Sequence, residues 1–407
     1  MNLISIPKKL LFRNLIMVVV IVFLIALSSP VMRPSYAAAK SSSWVVVSSA
    51  NPSTVSVSND ILSGVSAISD TNVWTVGSYS SSGGNNIAST LAEHWNGVSW
   101  SVVPTPNVGS GGSQFQAVSA FSSTDVWAVG ESNASGSASD DLTLIENYNG
   151  VAWSVVSSPD PSSEGDFLTA VTTIASNNAW AVGWYDNTAT DELAPLILHW
   201  DGSTWAMQTT GVPTGGDIVL QAITAISADD IWAVGNSGGE TNFEMNWNGA
   251  AWSETFASFP TGGQESLHGV AAVSASDAWA VGSYAPTVTA ELQTLILQWN
   301  GKEWNQVTSP NVDAYFNELY GVAVVSSSDI WAVGLAYTTN GLTFHTLIEH
   351  WNGKNWSIVS SPNVMSGDEL DGVVKSGTTT LWAVGTYDQT VKGNPGLRTL
   401  TLHTTSG

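Results

Sequence analysis

The chain has 407 residues, of which only 11% are charged, and 33 acidic side chains against 10 basic ones give a formal net charge of −23. Binding of nucleic acid or anionic lipid through a basic face is therefore excluded, because phosphate neutralisation needs clustered Lys and Arg. The chain has no cysteine, which excludes disulfides, a thiol nucleophile and Cys-ligated metal centres.

Residues 1–39 have the layout of a secretory signal peptide. Lys8, Lys9 and Arg13 precede an apolar run over residues 15–27, and small residues follow at 37–39. Because a helix needs about 20 apolar residues to span a bilayer, this run is too short for a comfortable transmembrane segment. We expect a secreted, extracellular protein that is cleaved near residues 37–39 and has no membrane association afterwards. An uncleaved N-terminal anchor is the alternative.

After residue 40 the sequence repeats a β-rich unit seven times. Each unit contains a string of the form Val-Trp-Ala-Val-Gly, and its tryptophans are 47 to 53 residues apart: Trp74, Trp127, Trp180, Trp232, Trp279, Trp331 and Trp382. Four short apolar runs per unit, here named strands a, b, c and d, are separated by turn signals, with Asn-Gly or Asp-Gly between c and d. The repeat predicts one all-β domain over residues 40–407, a seven-bladed β-propeller of four-stranded antiparallel blades.

The two ends of the repeat predict how the ring closes. The seventh unit stops at a strand c around Leu400, without the Asn-Gly turn and the following Trp of the other units. The missing strand d matches residues 44–49, which begin with Trp44 like the other d strands. We therefore predict that the N-terminal strand completes blade seven, which removes an exposed sheet edge.

Two segments of the sixth unit carry a family resemblance. Strand b reads Asp-Ile-Trp-Ala-Val-Gly over residues 329–334, and the c–d hairpin reads Trp-Asn-Gly-Lys-Asn-Trp over residues 351–356. They resemble kelch-type propellers and the related central domain of galactose oxidase, over residues 44–403. The chain departs from the kelch pattern in having one glycine after strand b instead of two, and Trp in strand c where Tyr is usual. The copper chemistry of galactose oxidase requires a cysteine, so the resemblance implies the architecture without that activity.

The links between strands differ in how far they repeat. The a–b and c–d links are short and nearly invariant, whereas the b–c and d–a links, which share the other face, vary in length and composition. Variable loops on a rigid scaffold are where binding residues concentrate, so we assign function to the b–c/d–a face. The second position of strand a also varies and is expected at the channel mouth: Ser63, Gln116, Thr169, Gln221, His268, Tyr320 and Asp371. A solvated polar channel is the alternative interpretation.

One tryptophan does not belong to the repeat. Nineteen of the 20 tryptophans fall in strands b, c and d at repeated positions, and Trp184 is left over at the start of the third b–c link, followed by Tyr185. It is a candidate platform for stacking a sugar, with a local loop anchor as the alternative. The candidate ligand-binding residues are Trp184, Tyr185, Gln116, Gln221, His268, Tyr320 and Asp371.

No metal site and no catalytic residue are assigned. His94, His199, His350 and His403 share one position of strand c, but side chains in the middle of separate blades cannot reach one ion, so this position is interpreted as structural. The acidic loops on the variable face offer oxygen ligands for Ca²⁺, which is the one candidate cofactor, although no contiguous twelve-residue calcium loop is present. The alternative interpretation is that the negative charge of these loops keeps the protein soluble. Glycoside hydrolysis requires a pair of carboxyl groups. Asp371 and Glu318 are the candidate pair, since we expect them to approach each other across the channel.

These observations lead to one leading hypothesis and two alternatives. The leading hypothesis is an exported, non-enzymatic, monomeric propeller that binds an extracellular polysaccharide or protein on the b–c/d–a face. The first alternative is a secreted glycan hydrolase or lyase with carboxylates at the channel mouth. The second is a spacer without a ligand of its own.

Overall fold

A computed structural model describes residues 43–52, 58–81, 87–136, 141–211, 216–238, 241–255, 257, 263–287, 290–312, 316–337, 343–365, 367–391 and 394–405. The predicted signal peptide, residues 1–39, lies outside the described residues. In the part of the chain that is described, no helix is long and apolar enough to cross a membrane.

The described elements are 28 β-strands. Their bounds follow blade by blade, in the order a, b, c and d. Blade 1 consists of β2 (Ser58–Ser69), β3 (Asn72–Ser81), β4 (Ala88–Trp95) and β5 (Trp100–Val102). Blade 2 consists of β6 (Gly112–Ser122), β7 (Asp125–Asn133), β8 (Asp141–Tyr148) and β9 (Trp153–Val155). Blade 3 consists of β10 (Asp166–Ala175), β11 (Asn178–Asn187), β12 (Glu192–Trp200) and β13 (Trp205–Met207).

The remaining blades follow the same pattern. Blade 4 consists of β14 (Ile218–Ser227), β15 (Asp230–Ser237), β16 (Thr241–Trp247) and β17 (Trp252–Thr255). Blade 5 consists of β18 (Gln264–Ser274), β19 (Asp277–Ala285), β20 (Gln293–Trp299) and β21 (Trp304–Gln306). Blade 6 consists of β22 (Asn317–Ser326), β23 (Asp329–Tyr337), β24 (Phe344–Trp351) and β25 (Trp356–Ile358). Blade 7 consists of β26 (Asp368–Lys375), β27 (Leu381–Val391), β28 (Asn394–Thr405) and the N-terminal β1 (Ser43–Val46).

Within these residues, blades 2 to 6 are five separate four-stranded antiparallel sheets, and blades 7 and 1 form one eight-stranded sheet. The eight-stranded sheet is two blades joined by a single parallel bridge between Asn59 and Leu397. Equivalent bridges join Leu292 to Phe316 and Phe344 to Gly367 at two other blade junctions. The all-β propeller fold predicted from the repeat is therefore confirmed, with seven four-stranded units.

The N-terminal strand closes the ring. β1 pairs antiparallel with β28, with Trp44 opposite Thr404 and Val46 opposite Leu402. This is the position that β5 takes against β4 in blade 1, where Trp100 lies opposite Trp95. The prediction that the N-terminal strand completes blade seven is therefore confirmed.

A repeated side-chain clamp, which the sequence did not reveal, holds the d–a link of five blades. The backbone N–H of a strand-c threonine donates to an Asn or Asp side-chain oxygen in the link. The five pairs are Thr90–Asn107 at 3.0 Å, Thr143–Asp160 at 2.8 Å, Thr294–Asn311 at 2.9 Å, Thr346–Asn363 at 2.9 Å and Thr399–Asn51 at 3.1 Å. Because the last pair joins the two ends of the chain in the same way, the closing blade has the same local chemistry as the others.

The core lies between blades and consists largely of tryptophan. Trp279 in strand b of blade 5 is fully buried, and its ring lies 5.1 Å from that of Trp351 and 5.6 Å from that of Trp356, both in blade 6. The edge-to-face contact with Trp356 adds about 0.5–1.5 kcal/mol to the free energy gained by burial. Each blade therefore depends on its neighbour for its buried surface.

Strand a is the innermost strand. A Cβ added to Gly269 would lie 2.6 Å from the carbonyl oxygen of Tyr320 in the next blade, and one added to Gly64 would lie 3.0 Å from Cα of Ala117. Only residues with little or no side chain fit where the a strands approach one another this closely. The small residue of each strand a therefore lies at the crowded centre of the ring.

Candidate functional site

The variable position of strand a is a β-bulge in every blade. The pairing of strands a and b skips one residue between an apolar residue and the following Gly or Ala. The skipped residues are Ser63, Gln116, Thr169, Gln221, His268, Tyr320 and Asp371. A bulged residue is released from the ladder and its side chain is re-aimed, so side chains of six types occupy one equivalent position on the seven innermost strands.

The bulges of blades 5 and 6 bring polar side chains together around one carboxylate. Nε2 of His268 lies 2.9 Å from Oε1 of Glu318, which also accepts a hydrogen bond of 3.0 Å from the Ser283 hydroxyl. The Tyr320 hydroxyl donates to Oε2 of Glu318 at 2.9 Å, and the rings of His268 and Tyr320 are 5.4 Å apart. Three donors from two blades therefore fix the orientation of the Glu318 carboxylate.

The Glu318 carboxylate is stabilised in its charged form. Burial alone would raise the pKa of Glu318, but hydrogen bonds from His268, Tyr320 and Ser283, together with the electrostatic influence of His268, hold the pKa below its ordinary value. The side chains of His268 and Glu318 are 21% and 13% exposed.

Blade 7 adds two carboxyl groups to the same region. Glu369 accepts a hydrogen bond of 2.8 Å from the Thr386 hydroxyl, and burial raises its pKa. Burial and the neighbouring Glu369 raise the pKa of the bulge residue Asp371 well above its usual range. Burial, followed by the charges of Glu318, Glu369 and Asp371, raises the pKa of Tyr320, so these groups lie within electrostatic reach of one another. We call this set the mouth cluster: His268, Ser283, Glu318, Tyr320, Glu369 and Asp371.

The other predicted site residues lie elsewhere in the ring. Gln116 is half-buried, and its Nε2 lies 3.5 Å from Oε2 of Glu131 within blade 2. Gln221 is the half-buried bulge residue of blade 4. The structure therefore brings three of the predicted residues, His268, Tyr320 and Asp371, into one cluster.

Trp184 and Tyr185 are part of the packing of blade 3. The Trp184 side chain is only 8% exposed and stacks on Phe167 with ring centroids 4.0 Å apart. Tyr185 packs against the core cluster between blades 2 and 3. Trp184 thus presents little ring surface to a ligand, and its role as a sugar platform stays a prediction.

Blade 6 contains an aromatic row that the sequence analysis missed. Phe316, Tyr337 and Phe344 lie side by side at the b–c/d–a end of strands a, b and c, and each is half-buried. The ring centroids are 5.2 Å apart for Phe316 and Tyr337, and 5.3 Å apart for Tyr337 and Phe344. Comparing the residues that share a cross-strand row, instead of those that share a strand, would have revealed it.

The shared strand-c position occupied by four histidines has a structural role. In six blades its side chain contacts the residue that begins strand b of the same blade. The six pairs are His94–Asn72 at 2.9 Å, Asn147–Asp125 at 3.0 Å, His199–Asn178 at 3.1 Å, Asn246–Asp230 at 2.9 Å, Gln298–Asp277 at 3.0 Å and His350–Asp329 at 2.9 Å. Among the residues described, no group of three or more His, Asp or Glu could hold a metal ion. Calcium binding by the acidic loops stays a prediction.

A second set of buried acids lies away from the mouth, in strand c. Neither carboxyl oxygen of Glu146 or of Glu349 has a hydrogen-bond partner among the residues that the structure covers. Burial raises the pKa of Glu146 to about 8 and that of Glu349 well above its usual range. Leu198, Leu297 and Leu402 occupy the equivalent place in other blades, so this position belongs to the apolar interior.

Comparison with known proteins supports the fold and leaves the family open. No family model matches the chain, and no curated protein matches it. Similar solved structures include YCF48 bound to D1 peptide, with a TM-score of 0.53 and 14% identity over 89% of this chain and 97% of that one. They also include a PL25 ulvan lyase bound to a -[GlcA(1-4)Rha3S]- ligand, with a TM-score of 0.51 and 10% identity over 82% and 90% of the two chains.

A GH74 xyloglucanase from Xanthomonas campestris is also similar, with a TM-score of 0.53 and 10% identity over 87% of this chain. The match spans 55% of the xyloglucanase chain. At identities this low, these matches show a shared β-propeller fold, and the kelch-type resemblance stays a prediction. A shared fold does not by itself carry function.

Proposed function

We propose that the chain is an exported propeller-type binding module that recognises an extracellular partner, a polysaccharide or a protein, on its b–c/d–a face. The observation that carries the proposal is the convergence of His268, Glu318 and Tyr320, two of them bulge residues, around one oriented carboxylate. The fold requires a bulge at this position but not these side chains, because blades 1 to 4 have Ser, Gln or Thr there and blade 7 has Asp.

The chemistry of the mouth cluster suits a ligand rich in polar groups. The ionised Glu318 accepts hydrogen bonds, whereas the raised pKa values of Glu369 and Asp371 favour protonated carboxyls that also donate. Beyond residue 40 the chain has 33 acidic and five basic residues, a net charge of −28. Repulsion by this charge disfavours a polyanionic partner.

The solved structures of similar fold are consistent with either class of partner. One is named for a bound peptide, and two are named as enzymes that act on polysaccharides. We retain kelch-type as the proposed family, on the strand-b and c–d motifs alone.

The binding proposal is tested by the Glu318→Gln variant. Purified chain is passed over immobilised polysaccharides and extracellular protein fractions, and the dissociation constant is measured for each partner retained. We expect binding about tenfold weaker in Glu318→Gln, since the change removes the negative charge and replaces one of the two acceptor oxygens by an N–H donor. The matched control is Glu146→Gln, the same change at a buried position outside the mouth. Equal binding by wild type, variant and control would remove the mouth cluster as the site.

A secreted glycan hydrolase or lyase is the second candidate, and one observation favours it. Glu318 and Asp371 lie in adjacent blades, and the pKa of Glu318 is lowered while that of Asp371 is raised. Such divergence is how a site assigns a base and an acid among carboxyl groups. Release of reducing or unsaturated ends from a retained glycan, abolished in both Glu318→Gln and Asp371→Asn, would establish the enzyme. Retention without release would leave the binding module.

Export is tested at the N-terminus. We expect the chain recovered from culture fluid to begin close to residue 40, as read by mass spectrometry. A full-length chain in the membrane fraction would instead support the uncleaved anchor.

A further inference from the structure

The aromatic row of blade 6 runs outward from the mouth cluster. Phe316 immediately precedes the innermost strand of blade 6, Tyr337 ends the second strand, and Phe344 begins the third. Centroid separations of 5.2 and 5.3 Å follow the spacing of about 4.8 Å between neighbouring strands. The three rings therefore form a continuous track on the b–c/d–a face, directed from the channel towards the rim.

This track is a departure from the repeat. In the five other blades whose equivalent row lies wholly within the described residues, the row has no aromatic residue and is small, polar or aliphatic. Their residues are Asn59, Ser80 and Ala88; Gly112, Asn133 and Asp141; Gly165, Asp186 and Leu193; Gln264, Ala285 and Leu292; and Gly367, Asp388 and Leu397. These five blades fold without rings at this place, so the propeller itself does not require them in blade 6.

The row adjoins the carboxyl groups of blades 6 and 7. The pKa of Tyr337 is raised by burial first and then by the charges of Glu369, Glu318 and Asp388, which places its hydroxyl within electrostatic reach of them. Gly367, in the facing row of blade 7, has no side chain, and its backbone bridges to Phe344. Phe344 and the facing row of blade 7, in which Asp388 pairs with Gly367, thus meet at the junction of blades 6 and 7.

We propose that the aromatic row and the mouth cluster together bind one strand of a neutral polysaccharide, with its sugar rings along the row and its hydroxyls on the mouth cluster. This inference rests on the proposed binding function and names its ligand class. A sugar has apolar C–H faces that pack on aromatic rings and hydroxyl edges that pair with carboxyl and phenol groups. Such rings combined with a few placed polar groups are the usual composition of a ligand site.

Two other ligand chemistries fit the surface less well. A net charge of −28 beyond residue 40 repels a polyanionic glycan. A cationic peptide would be attracted, but recognition of an ammonium group by several rings requires the cation to sit over their faces. Here neighbouring rings contact each other at 5.2 and 5.3 Å, which leaves no space between them for a cation. An extended row of rings in mutual contact suits a chain of sugar rings better than an enclosed charge.

The test compares two variants of the row with a matched control on the opposite face. Purified wild type, Tyr337→Ala and Phe344→Ala are assayed against xyloglucan, galactomannan, polygalacturonate and a lysine-rich peptide. Phe121→Ala is the control, because Phe121 is 47% exposed next to an a–b turn. We expect wild type to retain a neutral glycan, about tenfold weaker retention in each row variant, and no change in the control. Thermal unfolding of all four proteins verifies that each is folded.

The outcomes separate this inference from the function on which it rests. Unchanged glycan retention in both row variants, with weaker retention in Glu318→Gln, would overturn the role of the aromatic row and keep the binding module. Retention of the lysine-rich peptide or polygalacturonate instead of the neutral glycans would overturn the ligand class. Retention of no probe by wild type would count against both proposals. The variant Tyr337→Phe should keep wild-type retention if ring contact carries the effect.

Discussion

The two ends of the blades have the same repeated backbone, but side chains are repeated at one end and varied at the other. At the end with the a–b and c–d links, the indole N–H of Trp95, Trp200, Trp247 or Trp299 donates to a backbone carbonyl of the a–b turn in its own blade. At the other end, each blade has the same bulge, but the seven bulge residues are of six different types. The repeated strands and turns therefore form a rigid frame. The candidate site arises because the residue at the strand-a bulge varies between blades.

The same contrast appears between two kinds of buried glutamate. At the mouth, three donors surround Glu318 and its pKa is lowered. In the interior of blade 2, neither oxygen of Glu146 has a hydrogen-bond partner among the described residues, and its pKa is raised to about 8. Hydrogen bonds from three donors and the nearby imidazole thus outweigh burial at Glu318, whereas at Glu146 burial acts alone.

The largest expected effect comes from breaking the repeated interior. Trp279→Ala removes a fully buried side chain that packs against blade 6, and we expect a loss of about 3–5 kcal/mol in the free energy of unfolding. Tyr337→Ala in the aromatic row should cost about 1 kcal/mol or less, because the equivalent strand-b position of the other blades holds Ser, Asn, Asp, Gly or Ala. Denaturant titration measures both losses. A similar loss in the free energy of unfolding for the two variants would contradict this distinction between the repeated frame and the varied site.

Replacing the interior glutamate with the residue of other blades should stabilise the protein. Glu146→Leu removes an unpaired buried carboxyl, and we expect a gain of about 1–3 kcal/mol. Because the folded-state pKa is raised from 4.5 to about 8, the folded protein binds the proton more tightly than the unfolded chain. The wild type therefore loses stability as the pH rises through this interval, and the advantage of Glu146→Leu should grow. Thermal unfolding from about pH 5 to pH 8.5 measures the trend.

Glu318→Gln is the opposite case at the mouth. Its folded-state pKa is lowered, so the carboxylate contributes stability above the unfolded pKa of about 4.5, and this contribution is lost as the pH falls. The variant should therefore be less stable than wild type at neutral pH and approach it in acid. If the stability of Glu146→Leu and of Glu318→Gln relative to wild type changed with pH in the same direction, the contrast between the two glutamates would be wrong.

The smallest expected effect tests whether the closing blade is equivalent to the others. Asn363→Ala and Asn51→Ala each remove the acceptor for a strand-c threonine N–H, in blades 6 and 7 respectively. We expect each to lower the free energy of unfolding by about 1 kcal/mol. A much larger loss in Asn51→Ala, measured by the same titration, would show that the seam between the chain ends depends on this clamp more than an ordinary blade does.

Much of the frame was predictable because its signals repeat. The strand-b tryptophans and the Asn-Gly turns identify blades by local pattern, and Trp44 identifies the strand that closes the ring. Gly97 illustrates the physical basis, since its φ of +92° is needed by the c–d hairpin and is readily adopted by glycine. The bulges and the Thr–Asn clamps escaped detection because each depends on pairing register or on contacts between distant segments.

The candidate site was predictable only in part. Three of the predicted residues, His268, Tyr320 and Asp371, lie in the mouth cluster because their strand position faces the axis in every blade. Trp184 was singled out as the unrepeated tryptophan, yet it stacks on Phe167 in blade 3. The unrepeated rings of Phe316, Tyr337 and Phe344 are separated in sequence and become neighbours only across three strands.

The sequence by itself determined the number of blades, the strand that closes the ring and the face that varies, because those properties follow from local patterns repeated along the chain. Tertiary structure alone decided which variable side chains meet. Bulges re-aim single side chains and neighbouring blades supply the remaining partners, so the environment of Glu318 is assembled from residues as far apart as His268 and Tyr320. That environment, and with it the charge of the carboxylate, exists only once the ring has formed.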